Sequence, residues 1–247
     1  MSSTPPPYAD GPEVGLLDGL ATARAIRRFR PEPVPDADLA RMLFGATRAP
    51  SGSNRQPARF LVLRQGPRAT QARNVLGRRF RKQWATEQPR IYGYASNPPG
   101  SRAARMGEVM QGFVDGLEQV PVLILVCSEL EEGHQWGPRD GGSVYPAVQN
   151  LLLAARALGY GGVISHWQRF VADELRTILE IPPEVFIFVT VALGRPVGDH
   201  GPVRRLPLAD VVFEDGWRRP AAWAVDPPGT RFSGPPTPAS RPDPGSG

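Results

Sequence analysis

Four short stretches of the chain carry side chains suited to holding a phosphorylated, planar, polar-edged ligand. Arg24, Arg27 and Arg28 fall close together just before Phe29 and a Pro-rich exit, and a guanidinium fork binds phosphate through two parallel hydrogen bonds. Taken alone they read equally well as a solvated helix face. Ala49 to Pro57, APSGSNRQP, offers hydroxyls and amides from Ser51, Ser53, Asn54 and Gln56, although an ordinary turn has the same composition. Gly159 to Gly162 lacks side chains except at Tyr160, so backbone N–H groups there can approach a ring edge. It follows a helical pattern, whereas the dinucleotide fingerprint follows a strand. Arg204 and Arg205 come soon after an apolar run and the Gly194-Arg195-Pro196 turn, a further clamp for phosphate.

Other chemistries find little support. No G-x-S-x-G elbow is present, and His134, His166 and His200 are the only imidazoles. His166, beside Trp167 after the glycine turn, is placed to line a pocket, but a lone histidine is more often structural. Glu129, Glu131 and Glu132 read as a solvated loop after a strand. Cys127 is the sole cysteine and ends an apolar run, so it reads as an inert core thiol. One cysteine excludes an internal disulfide and a thiolate cage, and no metal site is expected. Lys82 is the only lysine, so no phosphate-binding loop of the Walker type exists.

These stretches need elements to hold them, and the periodicities supply an alternation of helix and strand. Leu39, Met42, Leu43 and Ala46 share one helical face after Pro35 and Asp36. Arg59 to Arg64 reads as a short strand, and Thr70 to Trp84 as a polar, Arg-rich helix. Ser101 caps a helix whose Met106, Val109, Met110, Phe113 and Leu117 face one way. Val120 to Cys127, VPVLILVC, is a strand buried on both faces. Val144 to Leu158 is the strongest helix, ended by Gly159 in a left-handed conformation. Val163 to Trp167 reads as extended, Ala172 to Leu179 as a short helix, and Val185 to Leu193 as a second buried strand. A mixed sheet covered by helices on both faces is the simplest architecture.

The whole chain has 247 residues, 40% of them hydrophobic, enough to bury a core without staples. Residues 1–12 and 223–247 read as unordered tails; from Asp226 onward there are 7 Pro and 4 Gly, with few apolar groups to offset ordering entropy. Residues 13–222 remain as one domain. No apolar run spans a bilayer and no secretory leader is visible, so a reducing cytoplasm is the expected location. The net charge is +5; a basic, Arg-rich protein can bind nucleic acid, but the scatter of arginines along the chain favours a coding preference over a phosphate-tracking patch.

Taken in order, RAIRRFRPEPVP, APSGSNRQPARFLVL, PVLILVC, SVYPAVQNLLLAARALGYGG, ALGRP and GPVRRLPL resemble the FMN-dependent nitroreductase family from about Ala21 to Trp217. The resemblance implies an α+β fold, an obligate homodimer, and FMN at the dimer interface in two sites, each built from both subunits. By position, Arg24 and Arg27, with Arg28 beside them, correspond to the N-terminal contacts to flavin phosphate and pyrimidine. Pro50, Ser51 and Asn54 correspond to the loop reaching the flavin from the other subunit, and Gln56 to a residue holding that loop. Gly162, Val163, Ile164 and Ser165 correspond to the backbone along the isoalloxazine near N5. Arg205, helped by Arg204, corresponds to the C-terminal phosphate ligand. Ala23, Ala25 and Ala58 replace an Arg, a Ser and an aromatic found in many relatives.

The function so implied is hydride transfer from NADPH or NADH through flavin N5 to a small conjugated acceptor, a nitroaromatic or quinone, in alternating half-reactions. The flavin carries the redox chemistry, which accounts for the scarcity of acid and base candidates. Alternatives are a flavin-using relative performing dehalogenation or flavin breakdown, and a flavin-binding or nucleic-acid-binding protein without turnover. The resemblance makes residues 66–116 the variable segment on which substrate choice depends in the family, and Arg90, Tyr92 and Tyr94 there are candidates for a lid, against a plain surface loop.

Overall fold

A computed structural model describes residues 14–87, 97–129, 138–230 and Ser233. The expected tail 1–12, the lid candidates Arg90, Tyr92 and Tyr94, and Glu131, Glu132 and His134 lie outside them. The chain divides into two compact units, Met1–Asp199 and His200–Gly247. That division falls inside the span 13–222 read from the sequence as one domain.

The first unit is an α+β layer structure on a four-stranded sheet. Strands β1 (Ala58–Leu63), β2 (Val122–Glu129), β3 (Gly161–Ser165) and β4 (Val185–Gly194) lie in the order β1-β2-β4-β3. All three pairings are antiparallel, and the sheet's mixed character is confined to an isolated parallel bridge from Ala25 to Gly162. Alternation sorts the strand residues. Val122, Ile124 and Val126 join Val189 and Val191 in a core beneath helices α2 (Asp36–Ala46) and α5 (Pro138–Ala157). Leu123, Leu125 and Cys127 enter a second core with Val75, Leu76, Phe80 and Trp84 of α3 (Pro67–Glu87) and Met110 and Phe113 of α4 (Arg102–Asp115). Both faces of the sheet are therefore helix-covered, and VPVLILVC needs no polar side because neither face meets water.

The β2–β4 register breaks once. Val126 pairs with Val189 but Cys127 with Ile187, so Phe188 is an extra residue in β4 and the strand carries a bulge. The side chain of Gln168, buried to 1% exposure, donates from Nε2 to the Phe188 carbonyl at 2.7 Å, supplying a partner where the ladder is disturbed.

Two arginines bind one end of the sheet, at its opposite edges. Arg73 of α3 is 7% exposed and its guanidinium donates to the carbonyls of Leu63 (3.2 Å), Glu118 (3.0 Å) and Val120 (2.6 Å), fastening the end of β1 to the entry of β2. Burial pushes its pKa down, against the Glu118 charge. Gly77, one turn further along α3, leaves the space that the Glu118 carboxylate fills, since a Cβ there would stand 1.9 Å from Oε1. At the same end of the strands, beside the opposite edge, the buried Tyr160 hydroxyl donates to Asp38 Oδ2 at 2.6 Å and accepts from Arg195 at 3.1 Å.

Helix α5 begins at Pro138, earlier than the apolar face at Val144 announces, and contains Pro146. The apolar period is silent over the first turn and a half because that stretch is Pro-Arg-Asp-Gly-Gly-Ser. Strand β3 likewise begins at Gly161 and ends at Ser165, two residues earlier at each end than the expected 163–167, and Trp167–Val171 is a 3-10 turn leading into α6 (Ala172–Leu179). Gly159 ends α5 at φ +77°, as its position promised. Among the described residues no helix is long and apolar enough to cross a membrane.

In the second unit, the Leu208 N–H at the start of α7 (Leu208–Val211) donates to Asp226 Oδ2 at 3.1 Å. Ala224 is buried, and the Ser233 N–H donates to the Arg205 carbonyl at 2.9 Å. Ala224, Asp226 and Ser233 belong to the segment 223–247 expected from the sequence to be an unordered tail.

Candidate functional site

The N-terminal arginines sit on an extended segment rather than a helix face. Helix α1 (Leu16–Thr22) stops before them, and residues 25–30 are laid against the sheet. Ala25 bridges Gly162, the Ile26 N–H donates to the Gly162 carbonyl at 3.0 Å, and Arg30 N–H donates to the Arg195 carbonyl at 2.8 Å. The Val197 N–H closes the segment on the Arg28 carbonyl at 2.9 Å. In an extended chain successive side chains alternate, and Arg24 and Arg28 are exposed while Arg27 is half-buried.

A cavity of about 300 Å³ opens beside Arg27, lined among others by Val163, Ile164, Ser165, His166 and Phe113. Arg27 and three residues of the β3 segment expected along a flavin ring are therefore brought together by the fold. Gly162 is not on that wall. A Cβ there would come within 2.7 Å of the Ala192 carbonyl oxygen and 2.9 Å of a Leu152 methyl, so its missing side chain serves the packing of β3 on β4 and α5, a different need from the ligand approach suggested by sequence. A second cavity, of about 580 Å³, lies on the other side, sharing Arg27 and Phe113 and adding Arg28, Phe29, Glu108, Gly112 and Val120.

Backbone in that first wall has capacity to spare. β3 is an edge strand, and an edge strand turns alternate N–H and C=O groups away from the sheet. The Ala25 bridge uses those at Gly162. Beyond it, Val163 to Ser165 have no further strand partner among the described residues.

Residues 50–56 form a loop that holds itself. Ser51 Oγ accepts from the Gln56 N–H at 2.9 Å, Gln56 Nε2 donates to Asn54 Oδ1 at 3.2 Å, and the Gly52 N–H donates to Ser143 Oγ at 3.1 Å. Ser53, Asn54 and Gln56 all have φ between 51° and 54°, the left-handed region that costs a non-glycine residue stability and clusters at binding sites. Pro50, Ser51, Asn54 and Gln56 line neither cavity of the same chain. Arg204 and Arg205 belong to the second unit; both are exposed, and Arg205 donates to the Arg204 carbonyl at 2.8 Å.

Two residues that line the first cavity, Trp167 and Arg169, and a third that contacts its His166, Tyr145, carry no signal in the sequence. Tyr145 lies off the apolar face of α5, and its Oη is 3.0 Å from His166 Nε2. Trp167 and Arg169 enter through the 3-10 turn, which has no periodic signature. Burial, aided by the Arg169 charge, pushes the His166 imidazole below its usual pKa. Cys127 is buried away from both cavities, and burial pushes its thiol up to about 11, as expected of an inert core sulfur.

Comparison with known proteins places this architecture. A model described as the Nitroreductase family matches residues 20–195. A protein of Thermus thermophilus named NADH dehydrogenase is 31% identical over 211 residues, 82% of this chain and 97% of that one. A Thermotoga neapolitana protein named iodotyrosine deiodinase is 29% identical, over 80% of this chain and 95% of its own. A nitroreductase candidate from Desulfovibrio desulfuricans, solved in complex with FMN, superposes with a TM-score of 0.59 at 28% identity, over 83% of this chain and 99% of that one. The matched span takes in all four strands, both cores and the Arg27 cavity, and the chain belongs to the Nitroreductase family.

Proposed function

We propose that the chain is an FMN-dependent oxidoreductase that passes a hydride from NADPH or NADH to a small conjugated acceptor, a nitroaromatic or a quinone. The observation that carries this reading is the convergence of Arg27 and the edge strand Val163–Ser165 on one cavity. An edge strand offers in-plane N–H donors to a flat heterocycle, and a half-buried guanidinium offers charge to its pyrimidine edge; both fit an isoalloxazine. FMN, when bound, supplies the hydride chemistry.

The protein's part is binding, orientation and electrostatics. Arg27 would hold the pyrimidine edge and stabilise negative charge there, with Arg24 and Arg28 beside it. Backbone at Val163, Ile164 and Ser165 would fix the ring's plane, with Gly162 keeping that strand close to β4. Arg205, with Arg204, would clamp the phosphate. Pro50, Ser51 and Asn54, held by Gln56, would reach the ring of the partner subunit in a homodimer, which agrees with their absence from the walls of the two cavities at Arg27 in their own chain. A reducing cytoplasm is the setting we assign.

The test is the absorption spectrum of the purified protein. A yellow protein bleached by NADH or NADPH, and reoxidised by added acceptor, supports the reading; a colourless protein that takes up no added FMN overturns it. The 29% identity to a protein named iodotyrosine deiodinase favours reductive dehalogenation as the second reading, for which iodide release from iodotyrosine is the measurement.

A further inference from the structure

His166 stands where strand gives way to turn. Its backbone, at φ −110° and ψ 8°, lies near the sparsely populated bridge region in which active-site residues recur. The residue lines the cavity together with Arg27 and Ser165. Its Nε2 is bound to Tyr145 Oη at 3.0 Å, and among the described residues Nδ1 makes no hydrogen bond. A phenol oxygen, its lone pair drawn into the ring, is a good donor and a poor acceptor. Tyr145 therefore donates to Nε2 and leaves the imidazole proton on Nδ1.

Tyr145 is itself held in place. Its ring meets Phe188 edge-on, centroids 6.0 Å apart at 82°, and Phe188 packs against Phe186 at 5.1 Å. Phe188 is the extra residue of the β4 bulge, whose carbonyl Gln168 secures from beneath. The chain of contact runs from the sheet's one irregularity, through Phe188 and Tyr145, to an imidazole on the cavity wall. Bulges of this kind re-aim side chains next to active sites.

We propose that His166 is the group that receives the electron acceptor's oxygen, donating to it from Nδ1–H, and that Tyr145 is the positioning residue that fixes this tautomer. The inference rests on the reading of the Arg27 cavity as the flavin site and narrows its substrates to acceptors bearing a terminal oxygen on a conjugated system, quinones or nitroaromatics. As such an acceptor gains the hydride, negative charge builds on that oxygen, and a preorganised N–H lowers the energy of that charge. The oxygen then takes its proton from solvent and the imidazole ends as it began. Burial, with the Arg169 charge, favours the neutral imidazole; Arg27 lines the same cavity, and Glu87 is the one carboxylate among its lining residues. A neutral donor suits the task because it leaves the oxygen free to dissociate once protonated.

Two measurements test this on the purified flavoprotein. Long-range proton–nitrogen NMR of the histidines reads the tautomer without turnover: His166 is expected with its proton on Nδ1, and Tyr145→Phe to spread it over both nitrogens. A wild-type His166 protonated on Nε2 overturns the proposal. Steady-state rates are then compared for benzoquinone, which needs a hydride and a proton at oxygen, and ferricyanide, which takes electrons alone. His166→Leu is expected to lower the ratio of the two rates ten-fold or more, and His166→Gln, which keeps an N–H, to lower it less. An unchanged ratio in His166→Leu at full flavin content overturns this inference and leaves the flavin reading standing. A wild type that binds no flavin, or oxidises no NAD(P)H with ferricyanide, overturns both.

Discussion

Arginine is the residue on which the proposed site turns, and the fold uses it for two opposite ends. Arg73 is buried and spends its donors on backbone carbonyls, whereas Arg27 is left half-buried on a cavity wall. The sequence shows both as Arg in a run of arginines, and only the extended, alternating path of residues 25–30 separates the wall residue from its exposed neighbours. Charge-assisted hydrogen bonds to a phosphate or ring edge contribute about 1.5–3 kcal/mol each. Arg27→Ala and Arg205→Ala are accordingly expected to weaken FMN binding about 10- to 100-fold, read by fluorescence titration; full flavin occupancy after dialysis of either variant would refute its assignment. Cys127 gives an expectation of the other sign. With its thiol pushed up to about 11 by burial, only a trace is thiolate at pH 8, so a disulfide reagent should leave the native protein unmodified and titrate one thiol after denaturation. Tyr145 was illegible for a simple reason. Nothing in the sequence marks a residue whose importance comes from a neighbour twenty-one positions away.

At the scale of elements, the strands and the major helices were legible because their apolar residues follow the sheet's alternation and the helix's period. Boundaries were not, wherever glycine and proline carry the structure: the start of α5 at Pro138 and the start of β3 at Gly161 have no apolar marker. The β4 bulge was also hidden, since VFIFVTVAL is apolar on both parities and a slip of one residue leaves no polar trace. Gln168 is the compensating residue, and its replacement should be felt. Gln168→Leu strips the Phe188 carbonyl of its partner at a buried site, an expected loss of about 1–3 kcal/mol, visible as a fall in Tm of several degrees. The contact of α3 with the turn before β2 offers a pH-dependent counterpart. Glu118 bonds Arg81 at 2.7 and 3.0 Å. Burial pushes its carboxyl up, but the Arg81 hydrogen bonds and the charges of Arg81 and Arg73 outweigh that and hold it below its ordinary 4.5. A carboxyl lowered in the folded state stabilises above its unfolded pKa, and that stabilisation disappears as pH falls through the folded value. Glu118→Gln should therefore cost about 1 kcal/mol at pH 7 and progressively less below pH 4, measured as converging Tm values of variant and wild type.

For the whole molecule, the decisive matter is which residues meet across two chains, and no property of one sequence displays that. Arg27 and Val163–Ser165 share a wall within one copy, while the loop of Ser51 and Asn54, with Ser53 and Asn54 held at φ 51° and 54°, faces neither of the two cavities at Arg27 in that copy. Strain of this kind is retained where a binding partner or neighbour makes use of it. Helix α1 points the same way: it docks through Gly19 and leaves Leu16, Leu17 and Leu20 exposed at 70%, 78% and 47%. Three outward leucines on a seven-residue helix are an apolar surface that a monomer has reason to cover. A second copy is the cover proposed for it, the same dimer whose Ser51–Asn54 loop is proposed to reach the neighbouring Arg27 cavity. The protein is thus expected to elute with about twice the 26.9 kDa mass of the chain, by light scattering. Leu17→Glu combined with Leu20→Glu should yield a monomer, and because each site then lacks its borrowed loop, flavin content should fall with the dimer rather than independently of it. A wild-type monomer that keeps one FMN per chain would separate the two and end the argument for a shared site.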